Sequence, residues 1–253
     1  MPKNIFMHES LEKKIIAIGG GEIKNKTTIE IDRYIASLIK EKANGGRGNA
    51  LFVGTASHDS MPYFNSFRKT YTSIFDVKVE VALIVYGEMD INKIANKIQL
   101  ADCIYIGGGD TIFMLEKWKQ TGIDKLLIEA YNNGKIICGL SAGAICWFKD
   151  MYTDYQIMRG ESANYVMKQG LGLLPGTMCP HYNEREKDFE IAMQENNVNS
   201  AFCVENNCAI EFVNGKFVKS ISSGGKAYLV EKINGVFTKK ELWIKLTGKT
   251  NFN

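Results

Sequence analysis

From Lys14 to Phe148, short apolar runs alternate with longer segments of helical periodicity. The runs predict strands, and most of them end in glycine or are followed directly by one: Lys14–Ile18, Ala50–Gly54, Val77–Val85, Cys103–Ile106 and Lys135–Gly139. Between them, Thr27–Lys42 is the clearest helix, because its apolar residues recur three or four positions apart. Strands that are apolar throughout and alternate with helices indicate a parallel sheet covered on both faces. We therefore predict a three-layer α/β fold with a doubly wound, mostly parallel sheet.

Beyond Phe148 the pattern changes. Lys149–Gln169 is polar and irregular, and is predicted to be a loop over the strand ends, whereas Glu184–Asn196 has helical character. From Ala201 onward, short apolar strands are separated by Asn-Gly and Gly-Gly pairs, which are typical of β-hairpin turns. No repeat, low-complexity segment or linker interrupts the chain. We therefore expect C-terminal β-hairpins and a single domain spanning residues 1–253.

A serine stands between a predicted strand and a predicted helix in the stretch CGLSAGA, residues 138–144. Such a turn would expose Ser141 at the carboxyl edge of the sheet, and its crowding explains why most neighbouring residues are small. Leu140 is the exception, and its side chain should point into the core. The N–H of Ala142, at the helix N-terminus, would face an oxyanion formed on a carbonyl that Ser141 attacks. The sequence G-L-S-A-G fits the G-x-S-x-G pattern of nucleophilic serines, although a packing turn would show the same small residues.

A nucleophilic serine needs a base, and the chain has three histidines. His8 lies in the polar N-terminal segment. His58 and His181 each follow a strand-like piece, where a residue of an α/β crevice should lie. We favour His181, because it comes between a strand-like segment and a polar helix.

The base in turn needs a group that orients it. Glu205 follows the apolar segment Phe202–Val204 and could emerge beside His181. Asp154 and Glu161, after the serine helix, are alternatives that only geometry can separate.

Two glycine triplets follow predicted strands. Gly107–Gly109, before Asp110, would let the backbone approach a substrate and provide a second oxyanion donor. Gly19–Gly21 follows the first strand. Neither triplet has the spacing of a nucleotide-binding loop, so a dinucleotide site is improbable.

Composition narrows the function. The chain has 253 residues, of which 45% are hydrophobic, and a net charge of +3 without a basic cluster, which argues against a nucleic-acid partner. The six cysteines have no metal-ligand spacing, so we expect no metal; most lie in apolar contexts, as buried thiols do. Cys146, inside the helix after Ser141, is expected to be structural. No signal peptide or membrane-spanning run is visible, which predicts a cytoplasmic protein without membrane contact.

The order of motifs resembles a known family. GGGDT at 107–111 is followed by GLSAGA at 139–144, by GLGLLPG and CPHY between 170 and 182, and by VENN at 204–207. This combination is similar to the peptidase E (aspartyl dipeptidase) family of serine peptidases, in particular its peptidase E-like bacterial branch. The resemblance spans roughly residues 14–220. It implies a flavodoxin-like fold related to class I glutamine amidotransferases, and peptide hydrolysis through an acyl-enzyme without a cofactor.

The resemblance also implies roles for individual residues. Ser141 would be the nucleophile and His181 the general base, and the N–H groups of Ala142 and of Gly108 or Gly109 would form the oxyanion hole. The candidate substrate contacts are Arg185, which would bind an acidic side chain, and Asp110.

Two departures from the family stand out. The family's aspartate, about fifteen residues after the serine, has no counterpart: Gln156 stands there, and Asp154 is two residues short. A Ser-His-Glu arrangement with Glu205 is therefore the preferred triad. The segment after His181 is also shorter than in aspartyl dipeptidases, which weakens the case for aspartate specificity.

We therefore expect a serine peptidase that hydrolyses short peptides through an acyl-enzyme on Ser141, with dipeptides carrying an N-terminal aspartate as one candidate class. The expected partner is a small peptide substrate, and the chain is expected to be a monomer or homodimer. An amidase or another acyl hydrolase on the same fold is the first alternative. A noncatalytic member that binds a small ligand is the second.

Overall fold

A computed structural model describes residues 11–86 and 90–242. His8 lies outside the described residues. Eight α-helices and thirteen strands are found in the described part of the chain. The helices are α1 (Ile29–Lys42), α2 (Met61–Ser73), α3 (Ile91–Leu100), α4 (Thr111–Thr121), α5 (Ile123–Asn132), α6 (Ala142–Ile145), α7 (Tyr155–Met158) and α8 (Tyr182–Glu195).

The strands form two sheets. Seven strands make the first, in the order β11-β10-β1-β5-β4-β2-β3: β1 (Lys14–Ile18), β2 (Asn49–Val53), β3 (Lys78–Ala82), β4 (Cys103–Ile106), β5 (Ile136–Leu140), β10 (Cys208–Val213) and β11 (Lys216–Ser222). Six make the second, in the order β13-β12-β9-β8-β6-β7: β6 (Phe148–Thr153), β7 (Val166–Gln169), β8 (Leu174–Cys179), β9 (Ser200–Val204), β12 (Ala227–Ile233) and β13 (Val236–Glu241).

The first sheet confirms the predicted α/β architecture. Its five strands β1 to β5 are parallel, and β10 and β11 add an antiparallel hairpin at one edge. Both faces are buried: Ile15 and Ala17 of β1 lie in one apolar cluster with α4 and α5, whereas Ile16 and Ile18 lie in another with α1. Burial on both faces explains why these strands are continuously apolar rather than alternating.

The second sheet corrects the prediction for Lys149–Gln169. This segment contains β6, α7 and β7 rather than one irregular loop, and β6 pairs with β7 and with β8. The polar appearance has a physical cause, because β7 lies at the edge of the sheet, where side chains are only partly buried. The C-terminal β12–β13 hairpin belongs to the same sheet. Two of the predicted hairpins are therefore present, β10–β11 and β12–β13, whereas the Gly224-Gly225 turn connects the two sheets instead of closing a hairpin.

The topology brings several strand ends to one edge. In the first sheet β1, β5 and β4 are parallel neighbours, so the turns after Ile18, Leu140 and Ile106 meet at their carboxyl ends. In a doubly wound sheet this edge is where ligands bind. No helix in the described part of the chain has the length and apolarity needed to cross a membrane.

Candidate active site

Ser141 occupies a strained turn between β5 and α6. Its backbone has φ 52° and ψ −109°, a conformation that costs a non-glycine residue about 1–3 kcal/mol. Three backbone hydrogen bonds hold it: the N–H of Ser141 donates to Ile18 O (2.9 Å), and the Ser141 carbonyl accepts from Ala144 N and from Ile145 N (2.9 Å each). The strain is therefore supported by the neighbouring strand and by the first turn of α6.

The small residues around Ser141 are required by close backbone contacts. A Cβ on Gly139 would overlap the carbonyl of Gly143, and a Cβ on Gly143 would overlap the carbonyl of Ile106 in β4. Leu140 is 6% exposed and packs into the apolar cluster beneath the sheet, as the sequence predicted. The glycines thus let α6 approach the strands closely enough to support the turn.

His181 is held against Ser141. It has a left-handed backbone (φ 50°) between β8 and α8, and its N–H donates to Gly19 O (2.9 Å). The distance from His181 Nε2 to Ser141 Oγ is 2.9 Å, within hydrogen-bond range. The ring of His58 instead packs on Phe113, with 4.0 Å between the ring centroids.

The structure places Asn206, not Glu205, next to the other ring nitrogen. Asn206 Oδ1 lies 2.6 Å from His181 Nδ1. The carboxylate of Glu205 accepts from Lys226 N (2.9 Å) and from the Tyr228 hydroxyl (3.4 Å). The preference for Glu205 as the orienting group is therefore corrected.

The cause lies in strand pairing. The N–H of Glu205 donates to Lys226 O, so the backbone of Glu205 still continues the ladder between β9 and β12. Its side chain turns toward β12, and Asn206 is the first residue free to face His181. Asn206 was not predicted, because an acid is the usual orienting group, although the Asn206-Asn207 pair directly after a strand is visible in the sequence.

The two alternative acids lie elsewhere. Asp154 Oδ2 accepts from Arg185 Nη2 (2.7 Å), and among the described residues no hydrogen bond joins Asp154 to His181. Glu161 is exposed, beyond α7. Neither carboxylate orients the imidazole.

Both expected substrate contacts, Arg185 and Asp110, are bound to other groups of the protein. Arg185 is only 3% exposed, because it is buried against Tyr165 and bound to Asp154, so it does not present a charge to a substrate. Asp110 caps α4 by accepting from Phe113 N (2.9 Å) and pairs with Arg159 Nε (2.6 Å). These polar groups serve the scaffold around the cleft.

Burial lowers the pKa of His181 below its ordinary value, and the nearby Arg185 guanidinium lowers it further. Hydrogen bonding to Asn206 and the charges of Glu184 and Asp154 oppose this shift. Since the net pKa shift is downward from 6.5, His181 is neutral at pH 7 and able to accept a proton.

The glycine triplet after β1 makes room for the side chains of His181 and Asn206. A Cβ on Gly20 would overlap both Asn206 Oδ1 and the His181 ring. The Gly19 carbonyl accepts from His181 N, and the Gly20 carbonyl accepts from Asn207 N (2.9 Å). Gly19–Gly21 therefore fixes the two segments that carry His181 and Asn206.

The second triplet borders Ser141. A Cβ on Gly108 would lie 3.4 Å from Ser141 Cβ, and Gly109 has φ +139°, which only glycine adopts readily. The N–H of Gly108 has a long contact of 3.4 Å to the Tyr63 hydroxyl. Ala142 is the first residue of α6, so its N–H has no acceptor within that helix. Gly108 and Ala142 thus lie at or beside the Ser141 turn, and Gly109 lines the cleft over Ser141.

A cleft of about 580 Å³ opens over Ser141 and His181. Its apolar lining comes from Ile23, Pro62, Tyr63, Leu140 and Met158, and its charged lining from Glu22, Lys24 and Asp154. No cluster of three or more metal-ligating side chains is present among residues 11–86 and 90–242. Cys146 is fully buried, and burial raises the pKa of its thiol, as expected of a structural cysteine.

Comparison with known proteins identifies the family. The model of peptidase family S51 matches residues 15–220. This chain belongs to peptidase family S51. By that membership it is a peptidase, and therefore a hydrolase.

Individual proteins similar to this chain are also named as peptidases. The chain is 32% identical over 243 residues to the "Uncharacterized peptidase YgaJ" of Bacillus subtilis (strain 168), covering 93% of this chain and 100% of that one. It is 25% identical over 123 residues to "Peptidase E" of Streptomyces coelicolor, covering 48% and 49%. The crystal structure of a peptidase from an acI-B1 Actinobacterium superposes with a TM-score of 0.65 at 16% identity, covering 93% of this chain and 96% of that one, and shows the same fold.

Proposed function

We propose that this S51 peptidase hydrolyses short peptides by a serine mechanism, through an acyl-enzyme on Ser141. The observation that carries the proposal is the chain of contacts from Ser141 Oγ to His181 Nε2 (2.9 Å) and from His181 Nδ1 to Asn206 Oδ1 (2.6 Å). A serine bonded to a base that a third group orients is the arrangement expected of an activated nucleophile.

In the proposed mechanism, neutral His181 removes the hydroxyl proton as Ser141 Oγ attacks the scissile carbonyl. His181 then donates that proton to the leaving amine, and the acyl group stays on Oγ. Water then attacks the ester while His181 removes one of its protons. His181 returns that proton to Ser141 Oγ as the bond between Oγ and the acyl carbon breaks, which releases the acid and regenerates Ser141. Asn206 accepts from Nδ1–H throughout and keeps the ring aimed at the serine.

The oxyanion would be held by the N–H groups of Gly108 and Ala142. The contact from Gly108 to the Tyr63 hydroxyl is long, at 3.4 Å, so a substrate oxygen could replace it at little cost. Losing one donor of this kind typically costs about 3 kcal/mol of transition-state stabilisation, or about a hundredfold in rate.

The lining of the cleft supports a small peptide as the substrate. The described lining carries Lys24 beside the carboxylates of Glu22 and Asp154, and the buried Arg185 is already paired with Asp154, so no free guanidinium is present there to bind an acidic side chain. We therefore propose activity on short peptides in general, with Asp-X dipeptides as one member of the tested set.

The test compares the wild type with Ser141→Ala on dipeptides, Asp-X dipeptides and amino-acid amides. Ser37→Ala, an exposed serine of α1, is the matched control. We expect hydrolysis of peptides by the wild type and the control, and loss of activity in Ser141→Ala. Cleavage of amides alone would favour an amidase. Absence of both turnover and fluorophosphonate labelling would refute a serine mechanism and favour ligand binding.

A further inference from the structure

Three contacts hold Asn206, two through its side-chain amide and one through its backbone N–H. Its Oδ1 faces His181 Nδ1, its Nδ2 donates to the carboxylate of Glu184, and its backbone N–H donates to Asn183 Oδ1 (2.9 Å). Both Asn183 and Glu184 belong to the first turn of α8, directly after His181. One helix N-terminus therefore carries the imidazole and also the groups that hold its orienting amide.

The carboxylate decides which way the amide faces. An ionised carboxylate only accepts hydrogen bonds, so the group opposite Glu184 must be the NH2 of Asn206. Its Oδ1 then faces His181 and accepts, which requires the proton of neutral His181 to be on Nδ1. Nε2 is left as the acceptor for the Ser141 hydroxyl, as the serine mechanism needs.

We propose that Glu184 is a positioning residue that sets the tautomer of His181 through Asn206. The expected effect on the rate rests on the proposed function. The tautomer of His181, in contrast, is a property of the resting protein. An asparagine alone cannot fix the tautomer, because its amide can turn over and present NH2 instead of oxygen. An NH2 opposite Nδ1 would favour the proton on Nε2, which is the wrong tautomer for a general base.

The first experiment reads the tautomer directly. The chain has three histidines, so ¹⁵N-histidine labelling gives three imidazoles, and His181→Gln identifies the relevant signals. We expect the Nδ1–H tautomer in the wild type and a mixture of tautomers in Glu184→Ala. Asp188→Ala, which removes an exposed carboxylate one turn further along α8, is the matched control and should leave the tautomer unchanged. A His181 that stays fully Nδ1–H in Glu184→Ala overturns the proposal.

The second experiment reverses the polarity of the pair. Asn206→Asp brings two carboxylates together with no donor between them, so we expect the free enzyme to lose the ordered contact and kcat/KM to fall about tenfold or more. Adding Glu184→Gln supplies an amide donor to the new carboxylate. The double variant should regain the ordered contact with His181 and at least half of the lost activity on a logarithmic scale.

The outcomes separate this inference from the proposed function. If Glu184→Gln has the same effect in the wild type and in the Asn206→Asp background, the two residues are not coupled and the inference is wrong. If the tautomer follows the prediction but neither turnover nor fluorophosphonate labelling occurs, Glu184 positions His181 and the serine mechanism is wrong. Because Glu184 is exposed, its variants should fold, and thermal unfolding checks this.

Discussion

Replacing Asp154 by asparagine separates two roles that the sequence left open. A triad acid would be needed for catalysis, and losing its charge costs serine proteases about 10⁴ in kcat. In this structure Asp154 instead pairs with Arg185 over 2.7 Å, and Asn206 contacts His181. We therefore expect Asp154→Asn to lose stability while kcat stays within about tenfold of the wild type.

The loss of stability can be bounded from burial. Arg185 is 3% exposed, and two of its nitrogens, Nε and Nη1, have no partner among the described residues. Removing one partner of a fully buried ion pair costs about 3–5 kcal/mol. The Asp154 side chain is 28% exposed, so water screens part of the interaction and we expect about 2–3 kcal/mol. In a protein of this size that lowers Tm by roughly 4–12 °C.

The pH profile of kcat/KM gives an independent check. The Asp154 charge is one of the groups that raise the pKa of His181, whereas burial and Arg185 lower it. Removing that charge lowers the pKa further, so His181 stays neutral to more acid pH and the acid limb moves to lower pH.

Three measurements are needed: urea unfolding, kcat, and kcat/KM from pH 4 to 8. Asp188→Asn on α8 is the control for loss of an exposed carboxylate. A thousandfold or larger fall in kcat, with the free energy of unfolding unchanged, would refute the reasoning and assign Asp154 as the catalytic acid.

Two further changes test the scaffold. Gly143→Ala would push a methyl group against the backbone carbonyl of Ile106, so we expect a loss of at least about 2 kcal/mol in urea unfolding and a parallel loss of activity as the Ser141 turn shifts. Burial raises the pKa of Asp32 from 3.8 to about 6, so the unfolding free energy should fall by about 3 kcal/mol in total as pH rises from about 3 to about 7. Asp32→Asn should lack this decline, and an equal decline in the variant would assign it to other groups.

Several features of the fold could be predicted from local pattern. Strands buried on both faces must be apolar at every position, and that rule located β1, β2, β4 and β5 within a few residues. The loop prediction for Lys149–Gln169 was wrong for the opposite reason. Edge strand β7 buries little, so its sequence carries no apolar periodicity, and only its pairing with β6 makes it a strand.

The placement of Ser141 and His181 was also predictable, because each stands at a strand end where backbone geometry restricts its neighbours. The expected contact between them is present at 2.9 Å. The glycines of Gly19–Gly21 were harder to interpret. Their function depends on Asn206, nearly two hundred residues away in the chain, whose side chain occupies the space that a Cβ on Gly20 would need.

The choice between Glu205 and Asn206 could not be made from sequence, since it depends on where β9 stops pairing with β12. Adjacent residues of an extended strand point to opposite sides, so one more residue of pairing reverses which side chain reaches His181. The structure turns Glu205 toward β12 and Asn206 toward the imidazole. The group that faces His181 Nδ1 is therefore a neutral amide rather than the expected carboxylate. The next group, the carboxylate of Glu184, carries a negative charge but contacts Asn206 and not the imidazole. Direct charge stabilisation of the imidazolium is weaker in such a site. The orientation of His181 therefore depends more on the hydrogen bonds of Asn206 than on a charge beside the ring.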